Sequence, residues 1–249
     1  MNRTDLVISA GLLAMPVIVV VAAFAQGITG FGFALVAAPL LAVVAGPKES
    51  VVALSLIALP MNAWSSLRHR RVACRGVAVR MVAAAAAVAP VGVWLLSVLS
   101  DRVLQGVVGV VVLCLTVTLI RGVRVSSRGG LVDLLGGACA GLLSTSTGTN
   151  GPPLVIAMQI QGISGPRLRA TLAWVFFACG LVSLALLNAA GSVSTESLIS
   201  AGIGWPFAFV GRRIGERVAG LLAPRWGEGL VAILLFASAA TAIVTAMKS

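Results

Sequence analysis

Long apolar segments, separated by short intervals that carry the charged residues, make up almost the whole chain. No charge occurs between Asp5 and Lys48 or between Asp133 and Arg167. The other uncharged apolar runs lie at 50–67, 81–100, 103–120, 170–195, 197–211 and 229–247. Most of these runs are close to the roughly 20 residues that a helix needs to cross a bilayer of about 30 Å. The pattern therefore predicts an all-α polytopic membrane protein.

Composition agrees with this pattern. Of 249 residues, 59% are hydrophobic and 10% are charged, and the mean hydropathy is +1.08. These values lie far from the balance of a soluble domain. Because no polar interval is long enough to form a soluble core, we expect a single transmembrane domain over residues 1–249. The N-terminal segment imitates a cleavable signal peptide, but its apolar run is longer than the usual hydrophobic region.

Arginine clusters set the expected orientation of the helices, because Lys and Arg concentrate in cytoplasmic loops. The clusters lie at 68–80, 121–128, 167–169 and 212–225. Placing all of them in the cytoplasm leaves only Arg3, Lys48, Arg102 and Lys248 outside, and it puts both chain termini outside. The net charge of +11 is therefore loop charge, and it does not predict nucleic acid binding.

Each of the two longest uncharged stretches contains a glycine-rich interruption, at 27–32 and at 144–153. The expected orientation requires the chain between Asp133 and Arg167 to begin and end on the cytoplasmic side. Its 33 residues are too many for one crossing and too few for two. A bent hairpin with its tip at 145–153 satisfies both conditions, and the same reasoning predicts a hairpin in 6–47, with both ends outside.

The two halves of the chain then have the same plan in opposite orientations. Each half, about 6–121 and about 131–247, contains a hairpin followed by three crossings, which makes about eight transmembrane helices when both broken helices are counted. This arrangement is an inverted-topology repeat. Residue matches at an offset of about 118 support it, since Thr29 aligns with Thr147 and Gly30 aligns with Gly148.

The two hairpin tips are the candidate binding site. Irregular backbone at membrane depth persists only where protein buries it or where it lines a polar cavity. A helix that starts there offers unpaired N–H groups and the positive end of its dipole to an anion. We expect the site to be formed by Thr29, Gly30 and Gly32 of the first tip and by Thr147, Gly148, Thr149, Asn150 and Gly151 of the second tip.

Other roles are open for several of these residues. Glycines in membrane helices often permit close packing, and the threonines could bond to carbonyls of their own helices. Trp205, which precedes Pro206, is a candidate gate or a core residue. We expect Gly211 and Gly215, spaced four residues apart, to form a packing face.

Titratable groups are not expected at the tips. None of the seven carboxylates is predicted near the middle of the membrane, and the single histidine, His69, lies among arginines. The four cysteines are dispersed, which predicts neither a metal site nor a disulfide framework. We therefore expect no cofactor and no enzyme activity. The coupling of transport to an energy source is open, with Glu49 and Asp133 near helix ends as candidates.

These motifs resemble those of the TauE/SafE-like sulfite exporter family of bacterial membrane proteins along nearly the full length. The similar residues are Gly27, Gly30 and Gly32 with Pro39-Leu40 in the first half, and residues 148–154, Gln161-Gly162, Arg167 and Arg169-Ala170-Thr171 in the second half. Many members carry three consecutive glycines in each motif, whereas this chain has Phe33-Ala34 in the first, and Asn150 and Pro152 around Gly151 in the second. The resemblance implies export of small sulfur-containing anions, such as sulfite or organosulfonates, across the bacterial cytoplasmic membrane.

The expected function is a secondary transporter that works by alternating access, with one repeat moving against the other. An anion channel or facilitator is an alternative, because helix starts also build selectivity filters. Transport of another small organic anion, such as a carboxylate, is a further alternative, as is an intramembrane enzyme or a structural subunit. The expected partners are the anion and the lipid bilayer, and a homodimer is compatible with the sequence.

Overall fold

The computed structural model describes residues 3–104 and 129–221, with further positions at 106–107, 110, 117 and within 233–244. Eight helices have both bounds within this part of the chain, further helical residues lie at 101–104 and at the isolated positions, and the described residues contain no strand. The helices are α1 (Arg3–Thr29), α2 (Phe33–Ala45), α3 (Pro47–His69), α4 (Arg75–Val98), α5 (Gly130–Ser146), α6 (Gly151–Ile160), α7 (Gly165–Ala189) and α8 (Thr195–Leu221). The predicted all-α class is confirmed. The spans expected at 103–120 and 229–247 lie for the most part outside the described residues.

Three helices, α3, α4 and α7, are long and apolar enough to cross a membrane. Helices α2, α5 and α6, together with the apolar part of α1 at Ala14–Thr29, are apolar but shorter. These lengths are those of a membrane protein whose long uncharged stretches are broken into pairs of helices. The expected total of about eight spans stays a prediction.

The two breaks in the helices lie where glycine permits a turn. In the first break, Gly30 and Gly32 have φ values of 84° and 110°, and in the second, Gly148 has a φ of 73°. These left-handed conformations are open to glycine and strained for other residues. The first tip is shorter than predicted, because Gly27 belongs to α1 and packs tightly against the α8 backbone.

Glycine also brings α8 against α1. A Cβ atom at Gly211 would overlap the carbonyl of Val20, and one at Gly215 would overlap the carbonyl of Phe24. The predicted packing role of this glycine pair is therefore confirmed. Close approach without side chains lets the two backbones gain dispersion contacts, which drive helix association where water is absent.

A second glycine pair, which the sequence analysis did not single out, brings α5 against α4. Gly137 and Gly141 lie against the backbone carbonyls of Met81 and Ala85, with no room for a Cβ atom. Thr145, one turn further along α5, donates its hydroxyl to the Ala89 carbonyl at 2.8 Å. The α4–α5 pair is therefore fixed by both close packing and a hydrogen bond between the helices.

Two apolar cores divide the described helices into bundles, and a third core, which includes Val52, Leu96 and Leu187, joins α3 to α4 and α7 where the bundles meet. The first core contains residues of α1, α2, α3 and α8, and the second contains residues of α4, α5, α6 and α7. Helices α3 and α7 pack against each other where the bundles meet. Phe31, in the first tip, packs against both cores. The bundles therefore meet at the first hairpin tip as well as along α3 and α7.

Candidate functional site

The two hairpin tips converge inside the protein. A Cβ atom at Gly151, where α6 begins, would lie 3.6 Å from Cδ2 of Phe31 in the first tip. It would also lie 3.7 Å from Cζ of Phe176 on α7. The second break therefore opens directly beside the aromatic residue of the first break, at ordinary van der Waals distance.

A small cavity lies between the tips, and we call it the tip cavity. Its volume is about 50 Å³, enough for one or two water molecules of about 30 Å³ each. None of the described residues that line it carries a charged side chain. Its lining consists of residues 32–35 of the first tip, Gly148, Asn150 and Gly151 of the second tip, Gln26, Ser144, Phe176 and Gly180, and Leu54, Ser55, Ala58, Leu59 and Asn62 of α3.

Two helices begin at the tip cavity. Helix α2 starts at Phe33 and helix α6 starts at Gly151, so both direct the positive ends of their dipoles toward it. The first N–H groups of a helix have no partner within that helix. Pro152 and Pro153 carry no N–H, so α6 offers fewer main-chain donors than α2. The side chain of Asn150 makes no capping bond and adds an amide donor to the lining.

The three threonines of the predicted site are engaged within the tips. The hydroxyl of Thr29 donates to the Ala25 carbonyl at 2.9 Å, and that of Thr147 donates to the Leu143 carbonyl at 2.9 Å. The hydroxyls of Thr149 and Thr147 are 2.7 Å apart. Because Thr147 donates its hydrogen to Leu143, the Thr149 hydroxyl is the donor of this pair. None of the three lines the tip cavity. This geometry favours a role in shaping the tips, and the predicted role in binding stays a prediction for them.

Gln26 and Asn62 form a buried amide pair that the sequence analysis missed. Nε2 of Gln26 donates to Oδ1 of Asn62 at 3.1 Å, and the two residues are 5% and 7% exposed. Oε1 of Gln26 is buried and has no hydrogen-bond partner. Since buried polar atoms are normally satisfied, this carbonyl oxygen at a cavity wall is a place for a hydrogen-bond donor such as water. The signal was available in the sequence as two amides within uncharged helical runs.

A larger cavity, which we call the basic cavity, lies on the other side of this amide pair. Its volume is about 520 Å³. Gln26 and Asn62 line both cavities, so the amide pair is the shared wall. The remaining lining consists of Gly27, Gly30, Trp64, Ser65, Arg68, His69, Gly165, Pro166, Arg169, Ala173, Arg212 and Glu216. Of the predicted site residues, Gly30 faces this cavity, whereas Gly32, Gly148, Asn150 and Gly151 face the tip cavity.

Two arginines of the basic cavity are held by backbone carbonyls. Nη2 of Arg169 donates to the Ile28 carbonyl at 2.7 Å, and the arginine stem covers Gly30, where a Cβ would lie 2.8 Å from Cγ. Nη1 of Arg212 donates to the Met61 carbonyl at 2.9 Å. The sequence analysis counted both arginines as loop charges. The structure places them within α7 and α8, where carbonyls near the tip and on α3 accept their N–H groups.

Trp205 lies away from both cavities. Its indole is 43% exposed, and Nε1 donates to the Leu56 carbonyl of α3 at 3.1 Å. Pro60, four residues after Leu56, has no N–H to give that carbonyl. Trp205 therefore satisfies a backbone group that proline leaves without a helical partner. Its predicted role as a gate stays a prediction.

The candidate coupling carboxylates lie at helix ends and outside the linings of the two cavities. Asp133 is fully buried, bonded to Nε of Arg80 at 2.7 Å and to Nε2 of Gln161 at 2.5 Å. Glu49 accepts from the hydroxyl of Ser197 at 2.6 Å. Within the described ranges there is no group of three residues suited to hold a metal ion.

Comparison with protein families gives one match that covers nearly the whole chain. The family model described as sulfite exporter TauE/SafE matches residues 15–242. The resemblance carried by the tip motifs is therefore confirmed. No match was found among curated proteins or among solved structures.

Proposed function

Because the chain belongs to the sulfite exporter TauE/SafE family, a family of membrane transporters, we propose that it exports small sulfur-containing anions by alternating access. The substrates are of the sulfite or organosulfonate type, and the membrane is the bacterial cytoplasmic membrane. The binding site is the tip cavity, with Gly32, Gly148, Asn150 and Gly151 in its lining.

Convergence of the two helix starts on one uncharged cavity is the observation that carries this proposal. An anion there receives main-chain N–H groups of α2, the Asn150 amide and two positive dipole ends. A carboxylate in the same place would repel it, and the tip cavity has none. Partial charges bind an anion without holding it as strongly as a buried cation would, which suits a carrier that must also release its substrate.

Matching contacts in the two halves support the inverted repeat. In the proposed repeat, α1 corresponds to α5, α3 to α7 and α4 to α8. The α1–α8 contact then corresponds to the α5–α4 contact, and the corresponding helices α3 and α7 contact each other. The starts of the equivalent helices α8 and α4 are also held alike. Glu49 on α3 accepts from Ser197 at the start of α8, while Thr171 on α7 accepts from the Cys74 N–H at the start of α4, at 2.9 Å.

The moving units in our proposal are the two bundles rather than the two repeats. Helix α8 shares an apolar core with α1, α2 and α3, and helix α4 shares one with α5, α6 and α7. Each bundle thus combines helices from both halves of the sequence. The α3–α7 contact and Phe31 lie where the bundles meet, so relative motion there would change the tip cavity from both sides.

The two cavities support a state that is open to the cytoplasm and closed around the site. If the arginine-rich ends are cytoplasmic, as expected from their charge, the basic cavity is the cytoplasmic entrance. The tip cavity, at about 50 Å³, must widen to accept an organosulfonate. Separation of the Gln26 and Asn62 side chains would connect it to the entrance.

Transport by the purified protein tests the proposal. Proteoliposomes loaded with radiolabelled taurine, sulfoacetate or sulfite should release label faster than vesicles that carry the same label but no protein. Unlabelled sulfonate outside should accelerate that release, because a carrier that binds substrate on the outside turns its site back to the inside faster than an empty carrier does. Acceleration by acetate alone would assign a carboxylate substrate, and electrical currents without such exchange would assign a channel.

A further inference from the structure

The basic cavity concentrates positive charge in its lining. Arg68, Arg169 and Arg212 line it together with His69, and Glu216 is the single carboxylate among the described residues of its lining. Its volume of about 520 Å³ lies within the roughly 300–1,000 Å³ of small-molecule pockets. The tip cavity has no such charge, so the two cavities differ in how they attract an anion.

Arg169 and Arg212 are oriented before any anion arrives. Each donates one N–H to a backbone carbonyl, Ile28 for Arg169 and Met61 for Arg212. A neutral carbonyl leaves the guanidinium charge uncompensated, and a guanidinium has five N–H donors. Arg169 therefore keeps donors for a further acceptor. Because the side chains are already ordered, binding does not have to immobilise them.

Glu216 reduces the charge that an incoming anion meets. Its Oε1 accepts from Nε of Arg212 at 2.8 Å, and its side chain is partly exposed in the same cavity. This ion pair occupies the Nε donor of Arg212 and offsets part of its charge. Removal of the carboxylate would therefore strengthen anion binding, an effect that a purely structural role of Arg212 does not produce.

We propose that the basic cavity is a second anion site, which binds a small oxyanion through Arg169 and Arg212 and delivers it past Gln26 and Asn62 to the tip cavity. The loading role rests on the proposed function, whereas binding itself does not. The shared wall of amides supports the delivery, since an anion leaving the arginines meets N–H donors of Gln26 or Asn62 on the way to the α2 start.

The experiment measures the affinity of sulfite and of sulfate by calorimetry for the full chain in nanodiscs of zwitterionic lipid. Arg169→Gln and Arg212→Gln should each weaken binding at this site by about tenfold or more, because each removes charged hydrogen bonds. Glu216→Gln should tighten it by about threefold. Arg213→Gln is the matched control, because Arg213 is the exposed neighbour of Arg212 and lines neither cavity.

Folding is checked by the thermal midpoint without anion, since Arg169→Gln also frees the Ile28 carbonyl. Arg169→Lys and Arg212→Lys keep the charge and should retain affinity better than the glutamine variants. If a glutamine variant fails to fold, the lysine variants and Glu216→Gln still carry the test. Affinity that is the same in wild type, Glu216→Gln and the lysine and glutamine variants overturns the second site.

The oxyanion could also be the phosphate of an anionic lipid headgroup, and a second arm separates the two sources. Nanodiscs containing phosphatidylglycerol should weaken sulfite binding by competition if both occupy the arginines. Retention of phosphatidylglycerol without any binding of free sulfite or sulfate overturns the loading role. If the protein binds the anion but exports no sulfur anion, the proposed function is overturned and the second site stands. If export is normal and the arginine variants do not change binding, the second site is overturned and the proposed function stands.

Discussion

At the scale of single residues, the proposed site is lined by neutral polar side chains where a charged side chain could have stood. Gln26 and Asn62 lie between a cavity lined by arginines and a cavity that no charged side chain lines, and both are almost fully buried. Asn150 adds an amide at the start of α6. In the proposed path an anion passes these groups, because each offers N–H donors and carries no negative charge.

The first prediction concerns Gln26. Gln26→Glu keeps the size of the side chain and places a carboxyl group in a buried wall, where its negative form is costly and repels an anion. We expect export from proteoliposomes to fall by about tenfold or more. Gln26→Met, in which the side chain has similar length and no charge, should reduce export less. Equal export by the two variants would contradict an anion path past Gln26.

The second prediction separates Asn150 from Thr149. Asn150→Leu removes an amide donor that faces the tip cavity, so export should fall by about tenfold or more while the protein stays folded. Thr149→Val removes a hydroxyl that bonds to Thr147 and lines neither cavity, so export should stay within about threefold of wild type. A reversed order in the efflux assay would place the anion on the other side of the second tip.

Part of this site was readable from the sequence. Gly32, Gly148, Asn150 and Gly151 stand in local motifs that break a helix, and local motifs carry their own signal. Arg169 and Arg212 reach carbonyls 141 and 151 residues away in the chain. Charge alone assigned them to loops, because nothing in a local pattern shows which distant carbonyl a guanidinium will meet.

At the scale of helices, missing side chains and missing N–H groups decide the packing. Gly211 and Gly215 bring α8 onto α1, and Gly137 and Gly141 bring α5 onto α4. Pro60 removes a donor from α3, and Trp205 on α8 replaces it. The spacing of Gly211 and Gly215 predicted a packing face, but the sequence did not show which helix would accept it.

The third prediction tests the glycine contacts. Gly215→Leu and Gly141→Leu would drive side chains into the α1 and α4 backbones, so each should lower the free energy of unfolding by about 3 kcal/mol or more. Gly202→Leu, on the same helix as Gly215, has open space around it and is the control. Unfolding in detergent gives the comparison, and equal stability of the Gly215 and Gly202 variants would contradict the packing described for α8.

The fourth prediction tests the bond between Trp205 and the Leu56 carbonyl. Trp205→Phe should cost about 1 kcal/mol more stability in the wild-type background than in Pro60→Ala, which restores the helical donor. A double-mutant cycle isolates this coupling from the other effects of each substitution. A coupling near zero would mean that the indole N–H does not compensate for the proline.

At the scale of the whole molecule, the hairpins of the sequence become the meeting point of two bundles. Charge parity predicted both breaks, because each uncharged stretch has to begin and end on the same side of the membrane, and the 33 residues between Asp133 and Arg167 fit neither one crossing nor two. The exchange of α4 and α8 between bundles was not readable, since it depends on contacts between the halves of the chain. In the proposed transport cycle, the inverted repeat gives the order of the helices, while the apolar cores give the two bundles that move.

The central claim is that an anion binds where the two hairpin tips meet. The most direct measurement is a structure of the protein with selenite, a heavier analogue of sulfite, whose selenium is located by its anomalous signal. We expect a peak in the tip cavity within hydrogen-bond distance of the first N–H groups of α2 and of Asn150, with a further peak beside Arg169 and Arg212 in the inward-open state. Occupied sites elsewhere, with no selenium between the tips, would contradict the account.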